Sequence, residues 1–351
     1  MGQLEDYQST ELFVATRDGK KLVTYRAGNT NPNFPDGNYP SQLKVWDFQS
    51  GKLLRSIKVN GTCYRGLIID PTGKYAASPV DIKRGRVTTF VTYVWDLNTG
   101  QTVAKFDNIV SDICFSSDGQ FLLGKGVPLQ LGIVEVVNVS NWMPQVSITL
   151  GSFAAFGPEL ALLQSSPVDN TTLIERWTSS IKIGANGKRV LHRTATLQIR
   201  NNESGELIRK HIFKEGLLSG VTYSPDGELL ALATTEGKFQ VYQAKDFSRV
   251  STFTDPKKVE KNIRYYKKLS FSPDKRFISA EIMLLKSGRP KPEVIRADGS
   301  GSLQIDFELY AQVSFLPNGI LGVTRSGKPI RFFDPETGRE LRFPFAKQES
   351  K

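Results

Sequence analysis

Cysteine and histidine are scarce in this sequence of 351 residues. It contains two cysteines, Cys63 and Cys114, and two histidines, His192 and His211. The cysteines are far apart in the chain, and none of the four residues stands at the spacing of metal ligands. We therefore expect no disulfide, no structural zinc site and no cofactor. In the repeat described below, Cys114 falls inside a strand and Cys63 falls just before one.

Long apolar runs are also missing. The longest, such as AEIMLLK at 280–286, are far shorter than the ~20 residues that a membrane span requires. The first twenty residues contain acidic side chains and no uninterrupted apolar segment, so they do not look like an export signal. We expect a cytoplasmic protein without a transmembrane segment. A chain from which a signal had been removed would give the same picture.

Turn signals, in contrast, are abundant, and they recur at regular intervals. Seven short turns of one kind follow apolar runs, at 17–19 (RDG), 70–73 (DPTG), 116–119 (SSDG), 156–159 (FGPE), 224–227 (SPDG), 272–275 (SPDK) and 316–319 (LPNG). In such turns Pro presets φ, Asp bonds to its own backbone, and Gly or Asn accepts a positive φ. Each therefore predicts a tight connection between two antiparallel strands.

A second series of seven turns alternates with the first. Its members begin at WDFQSGKLL, WDLNTGQTV, VNVSNWMPQ, RNNESGELI, YQAKDFSRV, RADGSGSLQ and FDPETGREL. Together the two series predict seven units of four strands, A to D. A single unit cannot bury both of its faces, whereas a closed ring of units can. We predict an all-β fold, a seven-bladed β-propeller of four-stranded antiparallel blades with strand A innermost. It forms one domain, with blades near 10–60, 61–107, 108–150, 151–213, 214–253, 254–307 and 308–346.

Several of these segments resemble the WD40-repeat family: VWDFQSGKLL, VWDLNTGQTV, FFDPETGREL, FSPDKRFIS and YSPDGELLALAT. The resemblance implies the propeller fold and a role as an interaction platform. Only Trp46-Asp47 and Trp95-Asp96 keep the family's dipeptide, and its Gly-His pair is absent. The repeats are thus degenerate and WD40-like, and we expect the family's His, Asp, Ser/Thr and Trp bracing network to be missing. The last unit carries its own D strand, RELRFPF, so a blade shared between the chain ends is not evident.

The connections between strands differ in length. The A–B and C–D connections are tight, and we call the face on which they emerge the turn face. The B–C and D–A connections emerge on the opposite face, the loop face. The long ones are 27–42, 78–90, 164–196, 284–293 and the D–A segment 254–268. Gly turns at 83–86, 185–188 and 286–289 predict extended hairpins with basic tips in blades 2, 4 and 6; an irregular loop is the alternative for 164–196.

Positive charge is concentrated on the loop face. The seven B–C connections sum to +9 and the segment 254–268 adds +4, against +11 for the whole chain. Such clustering attracts anionic partners, although lysines also protect strand edges without binding anything. The candidate binding face comprises Lys83, Arg84, Arg86, Lys188, Arg189, Lys257, Lys258, Lys261, Arg264, Tyr265, Tyr266, Lys267, Lys268, Lys286 and Arg289. Two interpretations of Tyr265 and Tyr266 are open. Either they stack on bases or anchor a protein partner, or one of them packs beneath the loop 254–268.

These patterns favour a non-catalytic platform that binds a protein or peptide, acidic in character, and acts as a monomer. A nucleic-acid or anionic-surface binder is the first alternative, although the sequence has no recognised nucleic-acid-binding motif. A propeller enzyme such as a lactonase is the second. Both histidines fall in unit 4, where we expect His211 half-buried in the outer strand and His192 exposed on the hairpin. Nucleophile-elbow and phosphate-loop motifs are absent, which leaves only a carboxylate-based site open.

Overall fold

The structure of the chain is a computed structural model. It describes residues 12–28, 40–63, 66–84, 87–126, 133–149, 163–183, 189–213, 218–235, 237–254, 264–284, 290–303, 305, 311–325 and 330–342. Over these ranges the secondary structure consists of strands and turns, without helices. The predicted all-β class is therefore confirmed.

Antiparallel sheets follow one another along the chain, each formed by consecutive strands. The first three contain β1 (Leu12–Ala15), β2 (Lys21–Arg26), β3 (Ser41–Asp47) and β4 (Leu53–Val59); β5 (Thr62–Cys63), β6 (Ile68–Ile69), β7 (Tyr75–Arg84), β8 (Val87–Asp96) and β9 (Thr102–Phe106); and β10 (Ile109–Phe115), β11 (Phe121–Gly126), β12 (Ile133–Asn138) and β13 (Met143–Thr149).

Four further sheets complete the set. They contain β14 (Leu163–Ser165), β15 (Thr171–Ile183), β16 (Arg189–Asn201) and β17 (Leu207–Phe213); β18 (Leu218–Tyr223), β19 (Leu229–Thr234), β20 (Lys238–Gln243) and β21 (Arg249–Thr254); β22 (Arg264–Phe271), β23 (Phe277–Leu284) and β24 (Pro290–Arg296); and β25 (Gln312–Phe315), β26 (Leu321–Thr324), β27 (Arg331–Phe333) and β28 (Glu340–Leu341). In the sixth sheet, a bridge between Ile295 and Ser302 marks the fourth strand. The chain is thus a seven-bladed β-propeller of four-stranded blades.

The first strand of each blade lies at the centre of the ring, as predicted. Contacts between first strands run from blade to blade: β6 with β1 and β10, then β10 with β14, β14 with β18, β18 with β22, and β22 with β25. The middle strands are buried on both sides because neighbouring blades cover both faces of each sheet. In β20, for example, Phe239, Gln240, Val241 and Tyr242 are all buried. The outermost strands are the most exposed, as in β4 and β17.

The ring is closed by packing between its first and last blades. Trp46 and Phe48 of the first blade share one apolar cluster with Leu316, Ile330 and Phe332 of the last. The last blade has its own outer strand, β28, paired with β27. No strand from the described start of the chain completes it, in agreement with the prediction from RELRFPF.

Two predictions of where turns and strands lie in the repeat are wrong. In blade 4 the A–B turn is formed by Ser166 to Asn170, with the Ser166 amide donating to the Thr171 carbonyl at 2.9 Å. The segment FGPE at 156–159, which the sequence suggested instead, lies outside the described residues. In blade 2, Cys63 lies inside a strand and not only before one, because it belongs to β5, the first of two short strands that pair with β7. Neither of the two cysteines, both of which the structure describes, forms a disulfide, and Cys63 is buried.

We expected the His, Asp, Ser/Thr and Trp network to be missing, but one of its hydrogen bonds is present in blade 1. The Trp46 indole donates a buried hydrogen bond to Thr24 Oγ1 at 2.9 Å. The neighbouring Asp47 serves the C–D turn instead, because its Oδ1 accepts bonds from the amide and hydroxyl of Ser50 at 2.8 and 2.6 Å. In this blade the Trp-Asp pair therefore joins strands and fixes a turn, without a histidine.

Candidate functional site

Long hairpins project from the loop face of alternate blades. In blade 2, β7 and β8 remain paired as far as Arg84 opposite Val87. In blade 4, β15 and β16 pair without interruption as far as Ile183 opposite Arg189. In blade 6, β23 and β24 pair up to Met283 opposite Pro290. The three predicted hairpins are confirmed, and the irregular alternative for the blade 4 segment is not.

Two of these hairpins extend beyond the outer strand of their own blade. Strand β9 accompanies β8 only as far as Phe106 opposite Thr92. Strand β17 accompanies β16 only as far as Phe213 opposite Ala195. Beyond Ala195 the blade 4 hairpin continues as a two-stranded ribbon within the described part of the chain. In blade 2, β5 still flanks β7 at Val80 and Asp81, so only the stretch from Ile82 to Arg84, with its partner strand, is two-stranded.

The predicted basic residues occupy two kinds of position. Lys83 and Arg84 end β7, Arg189 begins β16, and Arg264, Tyr265 and Lys267 lie in β22. Seven others lie outside the described residues: Arg86, Lys188, Lys257, Lys258, Lys261, Lys286 and Arg289. The hairpin backbones thus bring Arg84 and Val87, and Ile183 and Arg189, to the loop-face ends of the two hairpins.

Tyr266 belongs to the core rather than to a binding surface. Its side chain is fully buried, in an apolar cluster that includes Phe239, Leu269 and Ile282. Its ring meets that of Phe239 edge to face, with centroids 6.1 Å apart. Of the two interpretations of the tyrosine pair, packing therefore holds for Tyr266, and it leaves the candidate surface.

Lys268 lies in the innermost strand of blade 6, where it forms a 3.3 Å ion pair with Glu281 of β23. An acidic counterpart, Asp112, occupies the innermost strand of blade 3 and pairs with Lys125 of β11. Sequence reasoning missed Asp112. The signal was present, because both residues precede the A–B turn of their unit by the same number of positions.

The turn face is occupied by interlocking turns. A Cβ placed on Gly73 would lie 2.9 Å from Thr16 of the preceding blade, and one on Gly227 would lie 2.7 Å from Val168. Ser117 of blade 3 donates to the Asp169 carbonyl of blade 4 at 3.0 Å. These contacts tie neighbouring blades together near the channel, so this face consists of short, mutually packed turns.

An ion-pair network joins blades 5 and 6 on the turn face. Lys275 contacts the Asp226 carboxylate and lies 2.9 Å from Glu228 Oε2. Partial burial opposes ionisation of Asp226, but hydrogen bonds from Lys275 and Ser224 outweigh it and hold the pKa of this carboxyl well below its usual range. Lys275 replaces the usual turn glycine and has a φ of +65°.

His211 is half-buried in the outer strand of blade 4, as predicted. Its imidazole stacks on Phe247 of blade 5, with ring centroids 4.6 Å apart. Burial lowers its pKa below the ordinary histidine value. The residue therefore has a packing role between blades. His192 lies in β16, opposite Ser180 in the hairpin.

Neither a metal-ligating cluster nor a membrane-spanning helix is found in the described ranges. No group of three or more His, Cys, Asp or Glu side chains there could hold a metal ion. No helix there is long and apolar enough to cross a membrane.

Comparisons with known proteins give one weak likeness. No protein-family model matches the chain. An 86-residue stretch is 28% identical to Protein HIR1 of Cryptococcus neoformans var. neoformans serotype D, in each of two strains. That stretch covers 24% of this chain and 10% of HIR1. The likeness is compatible with a WD40-like propeller, but the chain spans only about a tenth of the length of the curated relatives that it matches.

Proposed function

We propose that this protein is a non-catalytic platform that binds an acidic protein or peptide through its loop face. The observation that carries the proposal is the set of long hairpins in blades 2, 4 and 6, whose sequences are basic at and near their ends. They rise from one face of a closed ring, whereas the other face is filled by interlocking turns. Function tends to reside in projecting segments on a rigid scaffold.

The hairpins are suited to binding because they are ordered before a partner arrives. In blade 4, pairing from Thr171 opposite Asn201 to Ile183 opposite Arg189 restrains the backbone of both strands. In blade 2, pairing from Tyr75 opposite Asp96 to Arg84 opposite Val87 does the same. A preorganised surface loses less conformational entropy on association than a flexible loop does. A broad contact area spread over alternate blades fits a macromolecular partner better than a small substrate.

Charge supports an acidic partner. Asp169 falls in a turn-face connection and Lys268 in an innermost strand, so removing both from the loop-face segments leaves their positive sum unchanged. On the turn face, some cations are paired with carboxylates, as in Lys275 with Glu228 and Arg276 with Asp274. An unevenly distributed positive field steers an anionic partner toward the loop face and accelerates its association.

Nucleic acids and anionic membranes are negatively charged too, so they are the competing classes of partner. The salt dependence of binding distinguishes them from an acidic peptide. The full chain is titrated into a fluorescein-labelled glutamate-rich peptide, a labelled single-stranded oligonucleotide of equal charge, and vesicles containing phosphatidylserine, each at 50 and 200 mM salt. The proposal predicts detectable peptide binding that exceeds oligonucleotide binding at the higher salt, because phosphate binding falls steeply with counterion concentration. Preferential binding of the oligonucleotide or the vesicles at both salt concentrations would contradict it.

A further inference from the structure

Asp112 and Lys268 share an unusual backbone conformation at equivalent places in the ring. Asp112 lies in β10 with a φ of +46°, and Lys268 lies in β22 with a φ of +50°. Each stands at an irregularity where the first strand shifts its register against the second, between Ser111 and Cys114 and between Lys267 and Ser270. Both are bulges in the innermost strand of a blade.

Their exposure indicates where the two side chains reach solvent. The sheet faces are covered by neighbouring blades, so an exposed side chain on an innermost strand can reach solvent only through the central channel or its openings. The side chain of Asp112 is 44% exposed and that of Lys268 is 60% exposed. Among the residues of the innermost strands whose side chains the structure describes, these two are the exposed charged ones. Their partners Lys125 and Glu281 are only 13% and 16% exposed.

The bulge itself does not require a charged residue. The equivalent position in blade 2 is Gly66, with a φ of +121°. Glycine adopts a positive φ without steric cost, whereas a residue with a side chain, such as lysine or aspartate, does so at an energetic cost. Blades 3 and 6 therefore carry charged side chains where glycine would satisfy the backbone. Residues held in this way are frequent at ligand-binding sites.

The two charges lie on nearly opposite walls of the channel, because blades 3 and 6 are separated by two blades on one side and three on the other. We propose that the channel binds a small zwitterionic molecule, whose cationic group contacts Asp112 and whose anionic group contacts Lys268. Amino acids and ω-amino acids belong to this chemical class. Lys268, which the sequence grouped with the loop-face residues, belongs here to the channel wall and not to the projecting hairpins. The proposal therefore does not depend on the function proposed for the loop face.

The existing ion pairs are compatible with such a ligand. An ammonium group has three donors and a carboxylate has several acceptor positions, so Lys268 can hold Glu281 and a ligand carboxylate together, and Asp112 can hold Lys125 and a ligand ammonium. The less exposed partners orient the two channel charges, and each pair is electrically neutral before a ligand arrives. A molecule with both charges is therefore favoured over one that carries a single charge.

Isothermal titration with zwitterions of increasing length tests the site. The probes are glycine, 4-aminobutanoate and 6-aminohexanoate, with butylamine and butanoate as singly charged controls. We expect at least one zwitterion to bind about tenfold more tightly than either singly charged compound. Failure of all three to bind at millimolar concentration, or equal binding by the singly charged compounds, would overturn the proposal.

Glycine substitutions separate binding from folding. Asp112→Gly and Lys268→Gly remove the charge and relieve the positive φ, so we expect each to keep the melting temperature within a few degrees while weakening zwitterion binding about tenfold or more. Lys52→Ala, on the turn face, is the matched control and should bind as the parent does. Where a glycine variant does not fold, Asp112→Asn and Lys268→Met remove the same charges and should give the same loss. Unchanged affinity in the folded variants would overturn the assignment.

Discussion

The ring of Phe13, in the first blade, lies directly against Gly322, in the last. A Cβ at position 322 would stand 2.6 Å from Phe13 Cζ. Phe13 also packs with Leu22, Trp46 and Leu316 in the cluster that joins these blades. The first and last blades thus close the ring through Phe13, whose aromatic ring occupies the space beside Gly322. Any residue larger than glycine at position 322 would place its side chain in that space.

Replacing Gly322 with Ala should loosen this closure. Overpacking in a filled core costs about 1–3 kcal/mol of unfolding free energy, and chemical denaturation measures the loss. Gly126→Ala is the matched control, because its Cβ would meet the flexible Glu135 side chain at 3.1 Å. In the double variant Phe13→Ala, Gly322→Ala, the two costs should be less than additive. Strict additivity would contradict the closure described here.

Gly227 and Gly288 should respond differently to valine. Gly227 has a φ of +73°, and its Cβ would lie 2.7 Å from Val168 Cγ2 of the neighbouring blade. Gly288 belongs to a predicted hairpin tip outside the described residues. We expect Gly227→Val to cost on the order of 1–2 kcal/mol or more and Gly288→Val a few tenths. Equal melting temperatures of the two variants would count against the distinction between scaffold and tip.

Asp226 should make stability depend on acid pH. Its folded pKa is depressed, so its stabilising contribution is complete above the ordinary aspartate pKa of 3.8 and is lost as pH falls below that value. Melting temperatures between pH 6 and pH 2.5 should therefore fall more steeply in the parent than in Asp226→Asn. Parallel curves for the two proteins would show that the contact with Lys275 contributes nothing.

His211 should affect stability in a higher pH range. Burial lowers its folded pKa, so the unfolded chain takes up a proton first and stability decreases as pH falls through and below the ordinary histidine value of 6.5. His211→Phe keeps an aromatic ring on Phe247 and should remove part of the decrease between pH 7.5 and pH 5.5. His192→Gln is the control and should retain it. The same loss in all three proteins would contradict a buried role for His211.

Repetition explains how much of this fold the sequence predicts. Each turn is specified locally by Asp, Pro and Gly, so two interleaved series predict seven blades even where one member is misplaced. In blade 4 the true turn, Ser166 to Asn170, has no glycine and follows a strand of only three residues. Neither feature distinguishes it from a loop in the sequence alone.

The candidate site was predictable only in part. Hairpins are local, so alternating residues around Gly turns predict them in blades 2, 4 and 6. The burial of Tyr266 and the exposure of Asp112 depend on the neighbouring blades and on the bulges in β22 and β10. Such tertiary effects leave no local signal, and they appear only when equivalent positions of all seven units are compared.

Charge reversal tests the proposed binding face most directly. One variant changes Lys257, Lys258 and Lys261 to Glu, and its control changes Lys52, Lys74 and Arg339, which are exposed on the turn face. We expect the first to weaken binding of the glutamate-rich peptide at least about tenfold at low salt, mainly through slower association, with little change in melting temperature. The control should bind nearly as the parent does. Similar losses in both variants, or no loss in the first, would contradict an acidic-partner site on the loop face.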